Sequence, residues 1–233
     1  MSTRLSFYSV SNLTPDSFAK IKRGMSTEAF DSERQSGFLS SRQTASLVEG
    51  RFVQKISDVV KVVDPLGTTL EFPRVTFLEQ KFMLNIKSPQ LVLFNPGPAL
   101  QSFLGRLIEF TDFKIGAEPV HFSVNSLLKE ITKSLENIHV YAVSIDSFSL
   151  DNASTAKISV ESTADARQRA KAFLKPRPVE FTNLKCEFEF ASRIRRCELK
   201  SYGTITIHGE SDPLLEKIFL DHVSIICGAA ASK

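Results

Sequence analysis

The chain has 233 residues, of which 42% are hydrophobic and 24% charged, and its formal net charge is +3 at pH 7. These ordinary values predict a folded globular protein and exclude a chain that is disordered throughout, while the charge is too small to indicate nucleic-acid binding by itself. No apolar run reaches the roughly 18 to 20 residues needed to span a bilayer. The N-terminal segment lacks the apolar stretch of a secretory signal, and the three cysteines include no Cys-x-x-Cys pair. We therefore expect a protein of the reducing cytoplasm, with no membrane contact.

Residues 1–50 predict a surface segment with one strand, LSFYSV, and two short helices. Thr14 is expected to cap a helix that begins at Pro15 and ends at Gly24. A second short helix is predicted from Thr27 to Gln35. The following run, FLSSRQTASLVEG, is predicted to be a surface loop.

Residues 51–136 predict a β-rich half with two covering helices. Its short apolar runs are separated by turn residues, and they read RFVQKI, DVVKVV, TTLEFPRVTFL, FMLNI and QLVLF. Asp64-Pro65-Leu66-Gly67 fits a four-residue turn. Pro73 predicts an edge strand or a bulge, because proline cannot donate to the ladder. Helices are expected to begin at Ala99 and to run from Asn125 to Glu136, where apolar residues recur at helical spacing.

Residues 137–233 predict a half with the order ββαββα. Its first strands, HVYAVSIDSFSL and AKISVES, are joined around Asp151-Asn152. Ser162 is expected to start the next helix as a capping box, and the last helix to begin at Pro213 with Asp212 as its cap. The fold class predicted for the whole chain is α+β, with antiparallel sheets covered by amphipathic helices in two sequential halves.

The densest stretch of charge and sulfur, CEFEFASRIRRCELK, occupies residues 186–200. A hairpin with a two-residue turn at Ala191-Ser192 places apolar pairs on one face and opposite charges on the other. The apolar pairs are Cys186 with Cys197 and Leu184 with Leu199, and the charged pairs are Glu187 with Arg196 and Lys185 with Glu198. Because one register satisfies both faces, we predict this hairpin, with its two thiols reduced and half-buried.

Basic side chains outnumber acidic ones between residues 167 and 200, and Lys175 and Arg177 belong to this excess. The pattern favours a non-enzymatic protein that binds nucleic acid with limited sequence specificity, although a solvated surface would carry similar charges. The predicted contacts are Arg167, Lys171, Arg195, Arg196 and Lys200 for phosphates, and Tyr202 as a stacking face for a base. This function requires no cofactor.

Glu198 and Lys200 form a Glu-x-Lys pair on one side of a strand. Over about 25 residues the region resembles the signature of PD-(D/E)xK nucleases, in which acidic groups on adjacent strands hold a divalent metal and the lysine positions water. The resemblance implies an Mg²⁺-dependent nuclease with Glu180, Glu198 and Lys200 as its catalytic set. Thr182 stands where that family has an acidic ligand.

Other readable catalytic motifs are absent from the sequence: there is no Gly-x-Ser-x-Gly, Walker A, dinucleotide or His-Glu-x-x-His pattern. Every second residue from 208 to 212 could bind a metal ion, and these are His208, Glu210 and Asp212. Because Asp212 is already expected to cap the last helix, no metal site is predicted. A third function stays open, that of a subunit that binds another protein through an exposed sheet edge. The expected partner is therefore nucleic acid or another protein.

Overall fold

The computed structural model describes residues 2–149, 153–174 and 180–231, with side chains as far as Gly228. Strands make up 47% of the chain and helices 25%. Within the described residues, eleven strands belong to one antiparallel sheet, accompanied by five short helices. The predicted fold class, with several helix-covered sheets in two sequential halves, is therefore wrong. Sequence periodicity identifies a strand and its buried side, but it does not record which strands pair.

Two compact units divide the chain, and neither is one continuous segment. The C-terminal unit comprises Met1–Ser9, Lys87–Gln90 and Glu118–Lys233, and the N-terminal unit comprises Val10–Ile86 and Leu91–Ala117. Among the described residues, no helix combines the length and the apolar character needed to cross a membrane.

The N-terminal unit is built on strands in the order β2-β3-β4-β5. Its elements are α1 (Pro15–Thr27), β2 (Ser36–Gln43), β3 (Leu47–Val63), β4 (Thr69–Asn85), β5 (Leu91–Phe94) and α2 (Leu100–Glu109), after β1 (Ser2–Ser11), which begins in the other unit. The helix predicted from Thr27 to Gln35 is wrong, since no helix forms there, and the predicted loop that begins at Phe38 contains most of β2. This polar strand is held by its ladder with β3 rather than by its own propensity.

The start of α1 is confirmed. The side chain of Thr14 accepts the N–H of Ser17, and the Ser17 hydroxyl accepts the N–H of Thr14 at 2.8 Å, which is a reciprocal capping box. The predicted end at Gly24 is wrong, because the helix continues to Thr27.

Ten of the nineteen phenylalanines are buried in the core. In the N-terminal unit, Phe38, Phe52, Phe82 and Phe103 are buried, and their ring centroids lie 4.8 to 6.3 Å apart where the rings contact. This cluster joins α2 to β2, β3 and β4.

The C-terminal unit is built on strands in the order β1-β11-β10-β9-β7-β8. Its elements are β6 (Gly116–Pro119), which pairs with β1 and begins in the N-terminal unit, α3 (Val124–Ile131), β7 (Glu136–Ser149), β8 (Thr155–Glu161), α4 (Ala166–Phe173), β9 (Asn183–Phe190), β10 (Arg193–Lys200), β11 (Thr204–His208) and α5 (Pro213–Ala231). Asp212 caps α5 as predicted, since its Oδ1 accepts the N–H of Leu214 and of Leu215. The cap of α4 is Asp165 rather than Ser162. The predicted turn at Asp151-Asn152 lies outside the described residues.

Candidate functional site

The predicted β9–β10 hairpin is confirmed. Its strands pair in one unbroken register that contains the four predicted pairs: Cys197 with Cys186, Leu199 with Leu184, Arg196 with Glu187, and Glu198 with Lys185. Ala191 and Ser192 form the turn with φ of 49° and 59°, as a type I′ hairpin loop requires. Because side chains alternate along a strand, this register decides which face each charged residue occupies.

Arg195 and Arg196 lie on opposite faces of β10. Arg195 shares its face with the fully buried Cys197 and Leu199, and its Nη1 donates to the carbonyl oxygen of Glu210 at 3.4 Å. Within the described residues, the Nε of Arg195 is buried without a hydrogen-bond partner. The side chain of Arg196 is 64% exposed on the other face. The two arginines therefore do not form one phosphate-binding surface.

The two hairpin thiols lie on the buried face. Cys186 and Cys197 are both fully buried rather than half-buried, and their Sγ atoms are 3.3 Å apart without a disulfide bond. The hydrogen bond with Cys186, reinforced by burial, raises the pKa of Cys197 well above its usual value. Both effects favour the protonated thiol of Cys197, so this cysteine is a packing residue rather than a nucleophile.

The opposite face of β9 and β10, which we call the polar face, carries alternating charges. Its residues are Asn183, Lys185, Glu187, Glu189, Ile194, Arg196, Glu198 and Lys200. Arg196 Nε lies 3.4 Å from Glu187 Oε2, and Lys200 Nζ lies 3.6 Å from Glu198 Oε2. Ion pairs this exposed typically contribute about 0 to 1 kcal/mol, so the cations are oriented without being locked.

An aromatic ring lies beside the polar face. The Arg196 guanidinium carbon is 6.0 Å from the centroid of the Tyr141 ring on β7, at the outer limit of a cation–π contact. Partial burial raises the pKa of the Tyr141 hydroxyl, so it stays protonated at neutral pH. Tyr141 could not be predicted as part of the site, because only strand pairing brings β7 beside β9.

Tyr202 is presented on a turn that the backbone holds at both ends. Ser201 N–H donates to the Thr182 carbonyl at 2.8 Å, and the Gly203 carbonyl accepts the Phe7 N–H at 2.8 Å. Gly203 has φ of +66°, and a Cβ there would lie 2.5 Å from the Val120 carbonyl oxygen. Position 203 therefore accepts only glycine, and the turn is rigid. Tyr202 is 48% exposed on it.

A cavity of about 440 Å³ opens beside Tyr202. The Tyr202 ring packs edge-to-face on His121, with centroids 5.5 Å apart. Phe181 is a fully buried part of the wall, and the exposed Glu180 and several hydroxyl groups supply polar lining. The structure thus places two predicted residues, Glu180 and Tyr202, around one opening, although they belonged to different predicted functions.

The remaining predicted cations lie on α4, which buries Ala166 and Ala170. The guanidinium of Arg167 forms two hydrogen bonds with the Asp165 carboxylate, Nε to Oδ1 at 3.0 Å and Nη2 to Oδ2 at 2.6 Å. The Asp165 carboxylate therefore neutralises the charge of Arg167. Lys171 is exposed to solvent. Lys175 and Arg177 lie outside the described residues.

Replacing Asp165 with alanine is expected to lower the free energy of unfolding by about 1 kcal/mol, because the N-cap of α4 is lost. The hydrogen bonds from Arg167 hold the pKa of Asp165 below its usual value. Stability from this carboxylate is therefore present above the unfolded pKa of about 3.9 and is lost as pH falls through the lower folded value. Urea unfolding followed by tyrosine fluorescence at neutral and acidic pH measures both effects.

The control for this prediction is Asp165→Asn, which still caps the helix but does not titrate. It should lose less stability than Asp165→Ala at neutral pH, and its stability should fall less than that of the wild type on acidification. An unchanged acid dependence would contradict the role assigned to the Arg167–Asp165 pair.

The predicted nuclease set is only partly assembled. Glu198 and Lys200 are neighbours on the polar face, whereas Glu180 lies at the cavity. Thr182 has a structural role, since its hydroxyl donates to the Ser144 carbonyl at 3.2 Å and accepts the backbone N–H of Asp146. A search of the described residues finds no group of three or more His, Cys, Asp or Glu side chains placed to hold a metal ion.

Asp146 is an acidic group that sequence reasoning missed. Its carboxylate lies 3.0 Å from Lys157 Nζ. A hydrogen bond from Lys157, with a smaller effect of the Lys200 charge, lowers its pKa. It therefore carries a negative charge at neutral pH, near Lys200, and adds to the mixed charge of this region.

Arg196, Lys200 and Lys185 thus share one face, with Tyr141 beside it, while Tyr202 and the cavity follow β10 directly. Sequence comparison assigns the chain to no family: no protein-family model and no curated protein sequence matches it.

Proposed function

We propose that this chain is a non-enzymatic binding protein that engages single-stranded nucleic acid through the polar face and the Tyr202 turn. The observation that carries the proposal is a set of three cations, Lys185, Arg196 and Lys200, on one face with Tyr141 beside it, and the exposed Tyr202 on the turn that directly follows β10. Cations that follow a phosphate backbone beside aromatic rings that stack on bases are the usual basis of single-strand binding.

The rings and the cavity favour single strands over duplexes. Tyr202 is half exposed on a rigid turn, so stacking a base on it costs little side-chain entropy. The adjoining cavity of about 440 Å³ exceeds the size of one nucleobase, and its hydroxyl groups and Glu180 offer hydrogen bonds to a base edge. A base inside a duplex could not reach this opening without being unpaired.

The carboxylates of the polar face limit the affinity. Glu187 and Glu198 lie within 4 Å of Arg196 and Lys200 respectively, so phosphate must compete with them. Three available cations correspond to a slope of about −2 for log K against log salt, since a single strand gives about −0.7 per phosphate contact. We therefore expect modest affinity with limited sequence preference.

Fluorescence anisotropy of labelled single-stranded DNA and RNA across a salt series tests the proposal. The double variant Arg196→Ala/Lys200→Ala should bind more weakly and reduce the magnitude of the salt slope by about 1.4, because two phosphate contacts are removed. Tyr202→Ala should weaken binding about tenfold at every salt concentration, because one base loses its stacking ring, and Tyr202→Phe should not.

Arg195→Ala is the matched control, since it removes the same charge from the adjacent residue on the opposite face. It should leave both affinity and salt slope unchanged. Equal losses in Arg195→Ala and Arg196→Ala, or no binding by the wild type at low salt, would reject the polar face as a nucleic-acid surface.

The same samples test the nuclease alternative, which the contact between Glu198 and Lys200 favours. Mg²⁺-dependent shortening of the strand on a gel, lost in Glu198→Gln, would replace the binding function with catalysis. Intact strands in the presence of Mg²⁺ agree with binding alone.

A cytoplasmic location is part of the proposal. Its support is the buried thiol pair, whose sulfur atoms lie 3.3 Å apart as free cysteines, as suits a reducing compartment.

A further inference from the structure

The hairpin of β3 and β4 extends beyond the strands that flank it. Pairing of β2 with β3 reaches Gln54, followed by one hydrogen bond from the Lys55 N–H to the Gln35 carbonyl. On the other side, the pairing of β5 with β4 begins at Lys81. Residues 55–78 therefore form a two-stranded ribbon, which we call the arm, whose ladder beyond its base is only its own.

The arm concentrates exposed apolar side chains. Nine of the sixteen exposed large hydrophobic residues among the described part of the chain lie on it, and these are Ile56, Val59, Val62, Val63, Leu66, Leu70, Phe72, Val75 and Phe77. An isolated two-stranded ribbon is marginally stable in water, and a contiguous apolar surface of this kind marks an interaction site. The arm therefore requires a covering partner.

The two faces of the arm differ in their charges. The register places Ile56, Val60, Val62, Leu70 and Phe72 on one side, which we call the valine face, together with Thr76 and the paired Asp58 and Arg74. The opposite side has Val59, Val63, Val75 and Phe77, interrupted by three charged residues, Lys55, Lys61 and Glu71, and by Ser57, Pro73 and Thr69. Because Phe77 already packs edge-to-face on Phe30 of the same chain, with ring centroids 6.1 Å apart, the valine face is the better candidate for burial by a partner.

The charges of the arm argue against nucleic acid and lipid as partners. Three cations, Lys55, Lys61 and Arg74, balance three anions, Asp58, Asp64 and Glu71, which gives a net charge of 3 − 3 = 0. Arg74 forms a two-pronged ion pair with Asp58, and Lys61 Nζ lies 2.7 Å from Glu71 Oε1. Lys55 Nζ donates to the Ser32 carbonyl oxygen, so every cation of the arm already has a partner within the chain and none is left for phosphates, and charged pairs at mid-length are costly in hydrocarbon.

We propose that the valine face binds the valine face of a second copy of this chain. A two-fold axis along the arm places β3 of one copy over β4 of the other. Asp58 then faces Arg74 of the second copy, and Val62 faces its Leu70, so this symmetry makes the face complementary to itself in charge and in apolar surface.

The size of the face fits a weak dimer. Eight residue pairs at about 3.3 Å per residue give a length of roughly 26 Å. Two such faces bury on the order of 1,000 Å² in total, the lower end for a specific interface. We therefore expect a weak dimer whose population rises with protein concentration.

Sedimentation velocity of the full chain over a concentration series tests the proposal. The wild type should shift from 26.0 kDa towards twice that mass. Phe72→Glu should stay monomeric at every concentration, and Val75→Lys, a charged change on the opposite face, should dimerise like the wild type. Far-UV circular dichroism shows that each variant is folded.

Mixing two single variants tests the symmetry separately from the ion pair within each chain. Asp58→Arg and Arg74→Asp should each weaken the dimer at least tenfold alone, because like charges then face each other across the axis. A mixture of the two should restore it, although neither chain regains its own Asp58–Arg74 pair. A wild type that is monomeric throughout overturns the proposal, and flotation with phosphatidylcholine vesicles would then assign the arm to a bilayer. A dimer that survives Phe72→Glu also overturns it, since the interface would lie elsewhere.

Discussion

Replacing Gly203 with alanine is expected to destabilise the C-terminal unit by about 4 kcal/mol, a loss that only a few kinds of substitution cause. Two causes act together here, backbone strain and a steric clash. The backbone has φ of +66°, and the new Cβ would meet the carbonyl oxygens of Val120 and Phe7 at 2.5 and 2.8 Å. Backbone strain alone costs about 1 to 3 kcal/mol, and the two carbonyls cannot retreat without breaking the hydrogen bond from Val120 N–H to the Phe7 carbonyl.

Tyrosine fluorescence during urea unfolding measures this loss selectively. The chain has no tryptophan, and its three tyrosines, Tyr8, Tyr141 and Tyr202, all belong to the C-terminal unit. The midpoint should fall steeply at constant slope, and nucleic-acid binding should fall with it, because the turn that presents Tyr202 is displaced.

Gly228→Ala is the control in the same unit. A Cβ at Gly228 meets nothing within 4 Å, and alanine in a helix is favoured over glycine by about 0.5 to 1 kcal/mol, so this variant should be neutral or slightly stabilised. A loss below about 1 kcal/mol in Gly203→Ala would show that the turn yields easily, and would remove the rigidity on which the stacking role of Tyr202 depends.

The β9–β10 hairpin could be predicted because its information is local. The turn at Ala191-Ser192 and the period-2 alternation lie within fifteen residues, and only one register pairs both the thiols and the charges. The caps Thr14 and Asp212 could be predicted for the same reason, because each lies next to the helix that it caps.

The long strands β3 and β4 were not readable as single elements. Asp58 interrupts an apolar run and so predicts the start of a separate strand, yet Arg74 on the neighbouring strand forms an ion pair with it within one long strand. Likewise, Pro73 lies opposite Val59 in an unbroken ladder, without a bulge. Here β4 is an edge strand, which is one of the two alternatives that the proline predicted. A cross-strand partner sixteen residues away leaves no pattern in a sequence window.

The candidate site was readable only in part for the same reason. Arg196, Glu198 and Lys200 are close in sequence and share a face. Arg195 lies on the other face because odd and even positions of a strand point to opposite sides, and a count of charged residues does not contain that information. Tyr141 and the cavity beside Tyr202 arise from elements that are distant along the chain. Local composition therefore located the region, whereas its geometry required the fold.

Phe103→Ala is expected to destabilise the N-terminal unit by about 3 to 5 kcal/mol. Phe103 is fully buried, and its ring centroid lies 4.8 Å from that of Phe82, 6.0 Å from Phe52 and 6.3 Å from Phe38. Removing the ring leaves a cavity among side chains that belong to three paired strands, so the walls cannot collapse without shifting the ladder. The loss includes aromatic contacts of about 0.5 to 1.5 kcal/mol each beyond their buried area.

This unit contains no tyrosine and the chain no tryptophan, so hydrogen exchange followed by mass spectrometry is the suitable measurement. Peptides from β2, β3 and β4 near Phe103 should lose protection by at least a hundredfold, since each 1.4 kcal/mol corresponds to a factor of ten. Phe103→Leu keeps most of the volume and should lose clearly less. Equal losses in both variants would mean that the aromatic contacts, rather than the cavity, dominate the stability of the cluster, and protection unchanged in both would place the core of this unit elsewhere.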